Sequence, residues 1–130
     1  HLLDDRNLFD NIALSLHVLG CAKDEIVDRV TESLEEVGLD GKEDRYPEEL
    51  SGGEQQRACI ARALVKDPDI ILADEPTGNL DPVTSFELIK LLEEVNREGT
   101  AIIMASHDYN LIKGRGHRII EIQDGSVRQS

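Results

Sequence analysis

The chain has 130 residues, 39 % hydrophobic and 32 % charged, a balance typical of a folded, water-exposed domain rather than a disordered tract. Its net charge of −13 repels phosphodiester backbones, and two Tyr and two Phe offer little for base stacking, so no nucleic-acid partner is expected. No apolar run nears the roughly 20 residues that cross a bilayer, and no basic-then-apolar leader is visible, so the expected compartment is the cytoplasm.

The charge is uneven. Residues 1–49 carry 14 acidic and 5 basic side chains, a net of −9, which reads most simply as a solvated acidic face. Within them, Phe9, Ile12, Ala13, Leu16 and Leu19 recur at helical spacing and stop at Gly20. Asp24 is the expected N-cap of a second helix that places Ile26, Val30, Leu34 and Val37 on one face and ends before Gly38. Cys21 and Cys59 have neither C-x-x-C nor metal-ligand spacing and read as reduced, packed thiols.

After a polar stretch, "LSGGEQQ" (residues 50–56) leads into an alanine-rich run free of Gly and Pro, a predicted helix. "DIILAD" (69–74) predicts a short strand buried on both faces. Leu88, Leu91, Leu92 and Val95 predict a helix that ends at Gly99, and "TAIIMAS" (100–106) a second buried strand. Alternation on both sides of Asp124-Gly125 predicts a closing hairpin. Helices followed by strand–helix–strand and a hairpin make an α/β layer that carries a helical insert.

Three places in this order could carry chemistry. Ser51, Gly52 and Gly53 precede a helix whose first N–H groups lack intrahelical partners, and with the helix dipole they could hold an anion. The plainer reading, an ordinary N-cap, fits the glycines equally well. Asp74 and Glu75 end an apolar strand, at the edge where open α/β sheets bind ligands. Such a pair suits a cation at Asp74 and a proton-accepting role at Glu75, but a polar turn before Pro76 also explains it. His107 leaves the next strand, where a shared cleft with the carboxylates is geometrically reasonable, and Asp81 could simply cap the helix that follows it. His17 and His117 have no such setting and are given no role.

Taken together, these stretches resemble the ATP-binding subunits of ABC (ATP-binding cassette) systems. "LSGGEQ" is similar to the family signature, "IILADE" to its Walker B strand, "NLD" to its D-loop and His107 to its switch histidine. "ADEPTGNLDP" is similar to the branch that holds lipoprotein-release, macrolide-export and cell-division ATPases. The resemblance implies a P-loop NTPase fold of the ABC type, α/β with a helical insert. Residues 1–49 would belong to the helical subdomain, 50–68 to the signature loop and helix, and 69–130 to the C-terminal part of the ATPase core. It further implies ATP and Mg²⁺ as ligands. A second subunit would pack head to tail as a homodimer, and an integral membrane subunit would dock at the cytoplasmic face of the membrane.

By the same resemblance, Glu75 would be the catalytic base and His107 its catalytic companion, with Asp74 on Mg²⁺ directly or through water. Ser51, Gly52, Gly53, Glu54 and Gln55 would meet the ATP held by the partner subunit, and Asn79, Leu80 and Asp81 would form the D-loop. The 130 residues contain no G-x-x-x-x-G-K-[ST] loop, so the chain is expected to correspond to the C-terminal part of a longer subunit, to be inactive alone and to self-associate. Two other readings stand beside this one: a non-catalytic module that docks to a membrane protein, and the C-terminal lobe of a chromosome-maintenance ATPase, against which stand the absent heptad run and the acidic balance.

Overall fold

The structure, a computed structural model, describes residues 1–123 and 125–129. Its first helix, α1 (Leu8–Val18), starts where Asn7 accepts a hydrogen bond from the N–H of Asp10 at 2.8 Å. Leu8, Ile12 and Leu16 line its buried face, whereas Leu19 lies past its end and is exposed. Asn11 is buried among them because its amide closes the lead-in: Oδ1 accepts from the Leu3 N–H at 2.7 Å, and Nδ2 donates to the carbonyls of Leu3, Arg6 and Asn7.

Helix α2 (Lys23–Glu36) corrects one expectation. Its N-cap is Ala22, which makes no side-chain cap, and Asp24 sits inside the first turn. A carboxylate there still complements the helix dipole, so the acidic start survives although the cap does not. At the other end Gly38 takes φ 76°, the left-handed conformation that ends a helix most cheaply in glycine.

A short 3₁₀ turn (Pro47–Glu49) brings the chain to α3 (Gly52–Leu64), capped by Ser51. Strand β1 (Ile70–Asp74), helix α4 (Pro82–Arg97) and strand β2 (Ala101–Ala105) then form one β-α-β unit. The strands are parallel, in register from Ile70 opposite Ala101 to Asp74 opposite Ala105. One helical turn, α5 (Tyr109–Ile112), precedes the antiparallel pair β3 (Ile120–Gln123) and β4 (Ser126–Gln129). The register of this pair closes with Gln123 opposite Ser126. Gly125 there has φ 79°, and Asp124, the other half of the expected turn, lies outside the described residues.

The core is helical. Leu16 from α1, Val30 and Leu34 from α2, Ala58 and Ala61 from α3, and Leu88 from α4 meet in it. The expectation that 69–74 and 100–106 are buried on both faces does not hold in this chain. Ile71 is buried and Ile102 and Met104 pack on the core, but Leu72 is 74 % exposed and Ile103 59 %. Successive strand side chains point to opposite faces, and helices cover only one face of the β1–β2 pair.

Candidate functional site

The C-terminal ends of β1 and β2 form the first part of the site. Pairing runs one residue beyond the strand, with the N–H of Glu75 donating to the carbonyl of Ala105 at 2.8 Å. Glu75 then takes φ 48°, a left-handed conformation that a side chain bearing a Cβ adopts only when its surroundings enforce it. Those surroundings are a tight turn: the N–H of Gly78 donates to the Glu75 carbonyl at 3.1 Å, and that of Leu80 to the Thr77 carbonyl at 3.2 Å. Glu75 Oε1 lies 3.3 Å from His107 Nε2, so the pairing joins the ends of adjacent parallel strands. His107 is otherwise almost fully exposed, free to meet a ligand as well as the carboxylate.

Two clefts share this pair as a wall. One, of about 620 Å³, runs between β2, α4 and β3 and also presents Asp74, Ser106 and Arg115. The other, of about 570 Å³, lies beside α5 and presents Thr77, Ser85 and Asn110. Asp74 is exposed at the strand end. One such carboxylate fits Mg²⁺, which takes one or two protein carboxylates and completes its octahedron with water and phosphate oxygens. Among the described residues no group of three His, Cys, Asp or Glu forms an all-protein metal cage.

The glycine turn is the second part. Ser51 Oγ accepts from the N–H of Glu54 at 3.1 Å, and Glu54 Oε1 accepts from the N–H of Ser51 at 2.9 Å, a reciprocal capping box. Gln55 is also engaged locally: its Nε2 donates to the carbonyl of Pro47 at 2.8 Å, bracing the lead-in to the turn. The second carboxylate oxygen of Glu54 pairs with Lys42, and this contact holds the Glu54 carboxyl below its ordinary range, ahead of the bond from Ser51.

The two glycines face different neighbours. Gly52 is exposed. Gly53 is buried, and a Cβ built on it would lie 2.5 Å from Thr84 Cγ2. Thr84 is itself held by Asp81, whose two oxygens accept from its N–H and its hydroxyl, each at 2.8 Å. Those bonds, the backbone one first, lower the Asp81 carboxyl, which is the N-cap of α4. Leu80 closes the contact, because a Cβ on Gly52 would lie 3.1 Å from its Cδ2.

Asp74, Glu75 and His107 are therefore brought to one cleft, and Ser51–Gln55 to a separate turn packed against Leu80 and Thr84. Asn79 takes φ 67° within the intervening loop. One cluster was not foreseen. Arg115 makes a two-pronged ion pair with Glu93, His117 Nε2 lies 2.7 Å from the same carboxylate, and Arg115 stacks 4.9 Å above the Phe86 ring. Only the position of Glu93 on α4 was open to prediction. Its partners lie 22 and 24 residues away, beyond any local periodicity.

Comparisons with known proteins bear on this geometry. The family described as "ABC transporter" matches residues 1–78. The chain is 51 % identical over 126 residues to the cell division ATP-binding protein FtsE of Mycobacterium tuberculosis, covering 97 % of this chain and 55 % of that protein. It is 50 % identical over 127 residues to FtsE of Escherichia coli, covering 98 % and 57 %, and 47 % identical over 126 residues to that of Bacillus subtilis, covering 97 % and 55 %. The chain thus spans little more than half the length of these relatives. Among solved structures, it superposes with a TM-score of 0.83 on the ATP-binding cassette MJ0796 in a dimeric post-hydrolysis state bound to ADP and Pi. That pair is 35 % identical, with 100 % of this chain and 58 % of the other covered.

Proposed function

Because this chain belongs to the ABC transporter ATPase family and has the α/β fold of its cassettes, we propose that it supplies the signature turn, the carboxylate edge and the switch histidine of an FtsE-like ATPase. The observation that carries this reading is the Glu75–His107 pairing across two parallel strand ends. Glu75 accepts a proton from the attacking water, and His107 orients that carboxylate and reaches the phosphate undergoing transfer. Asp74 would hold Mg²⁺, directly or through water, and the bound ion would supply charge neutralisation at the phosphate oxygens. Water attacks the terminal phosphorus as the bridging oxygen departs with ADP, so the protein's contribution is positioning and charge stabilisation.

Ser51, Gly52 and Gly53 serve the triphosphate of a second copy packed head to tail, with Glu54 and Gln55 shaping the turn. Asn79, Leu80 and Asp81 form the D-loop between the two copies. The complete subunit sits on the inner face of the cell membrane and drives or gates an integral membrane subunit of the FtsX type. Supporting this docking, Val18 and Leu19 are 81 % and 64 % exposed at the end of α1, beside the acidic surface of residues 1–49. The same surface supports a second reading, in which residues 1–130 alone bind the membrane subunit without catalysis, since no phosphate-binding lysine loop lies among them.

The test is Glu75→Gln in the complete subunit. ATP turnover is expected to fall by at least about a hundredfold while ATP binding persists, the range for loss of a general base. Turnover at the parent rate would remove Glu75 from the reaction. For residues 1–130 by themselves, calorimetry with MgATP is expected to show no heat of binding.

A further inference from the structure

A phosphate-binding turn that carries its own carboxylate poses an electrostatic problem. Glu54 lies one residue after Gly53, in the first turn of α3, and its charge opposes any anion at Ser51–Gly53. The capping box does not remove that charge, because it uses only Oε1. Oε2 is taken by Lys42, which reaches across from the loop after α2. Most backbone donors of the turn are already engaged. The N–H of Ser51 goes to Glu54, that of Glu54 to Ser51 Oγ and that of Gln55 to the Ser51 carbonyl at 2.9 Å. Among the described residues the N–H groups of Gly52 and Gly53 and the Ser51 hydroxyl donate to no protein acceptor, and Gly52 and Ser51 are exposed beside the Glu54 carboxylate.

We propose that Lys42 is a positioning residue for nucleotide, which makes the signature turn compatible with a triphosphate by neutralising Glu54 and fixing its carboxylate on the Ser51 N–H. This rests on the reading that Ser51–Gly53 meet ATP held by a second copy. The ion pair also connects residues 1–49 to the turn, so the acidic region contributes a cation to it. The depressed Glu54 carboxyl agrees with a charge-assisted bond to Lys42.

ATP-dependent dimerisation of the complete subunit, followed by sedimentation in a Glu75→Gln background, tests the proposal without reference to turnover. Lys42→Met is expected to weaken the ATP-dependent dimer by about tenfold, the effect of one uncompensated charge near a partly screened anion. Glu54→Gln, which keeps the cap and frees Lys42, is expected to tighten it severalfold. The double variant Lys42→Met with Glu54→Gln is expected to return to within about twofold of the parent.

Equal weakening in the double variant and in Lys42→Met would show that Lys42 acts structurally and would overturn the inference. So would an unchanged dimer in Lys42→Met. Should Lys42→Met not fold, Glu54→Gln decides alone: an unchanged or weaker dimer overturns the inference. If the Glu75→Gln parent itself forms no ATP-dependent dimer, it is the proposed function that fails, together with the inference built on it.

Discussion

A methyl group at position 53 would lie 2.5 Å from Thr84 Cγ2, closer than real side-chain carbons approach. Thr84 cannot swing aside freely, because its hydroxyl is bonded to Asp81. Gly53 is thus required by packing between the starts of α3 and α4, independently of any phosphate. Gly53→Ala should lower stability by about 2 kcal/mol, as overpacking of a well-filled contact does. Adding Thr84→Ser, which removes Cγ2 and keeps the hydroxyl on Asp81, should recover most of that loss. Urea denaturation reads both, and a Gly53→Ala protein as stable as the parent would contradict the contact. Glu75 shows the opposite economy, since its φ of 48° is unfavourable locally and is held by the Gly78 and Ala105 bonds.

Helix α4 organises its surroundings from both ends. At its start, Asp81 caps it and grips Thr84. Further along, Glu93 ties down the segment that leads to β3 through Arg115 and His117. Arg115 first, then His117 among the attractive partners, lowers the Glu93 carboxyl from its ordinary 4.5 to about 2. A carboxyl depressed on folding stabilises the native state above its unfolded value and loses that contribution as pH falls through the folded one. Glu93→Gln should therefore lower stability by roughly 2 kcal/mol at pH 7. The gap between variant and parent should narrow between pH 4.5 and pH 2. A gap that stays constant across that interval in denaturant titrations would rule out the ionised pair as its source.

Across the whole molecule, the four longer helices bury their apolar faces against one another and leave the two small sheets poorly covered. Leu72 and Ile103 on the parallel pair, and Ile122 and Val127 on the hairpin, are all more than half exposed. Apolar strands with bare faces and unpaired edges favour association with further chain. Residues 1–130 should self-associate at micromolar to millimolar concentration, and Leu72→Lys with Ile122→Lys should reduce this. A stable monomer of the parent chain by sedimentation at high concentration would count against that expectation. The cleft of about 620 Å³ lies on the other, helix-facing side of the parallel pair, where Ile102 and Met104 of β2, Ile89 and Leu92 of α4 and Ile120 of β3 line it.

Local chemistry determined much of this molecule in advance. Helical periodicity marked α1, α2 and α4. The Ser51 and Asp81 caps needed only a short polar side chain before a helix, and each bonds three residues ahead. The α/β order and the placing of Asp74, Glu75 and His107 at strand ends were likewise legible, because strand length and turn residues are local properties. The rest depended on contacts made at a distance. The cap expected at Asp24 moved to Ala22, where packing of α2 sets the helix start without a side-chain bond. Burial of β1 and β2 could not be read from their apolar runs, since a strand's composition does not say whether a second layer covers it. Lys42 with Glu54, Gly53 with Thr84, and Glu93 with Arg115 and His117 are separated by 12 to 31 positions. Only the folded chain brings those partners together, because charge and shape complementarity act through space and leave no periodic trace along the sequence.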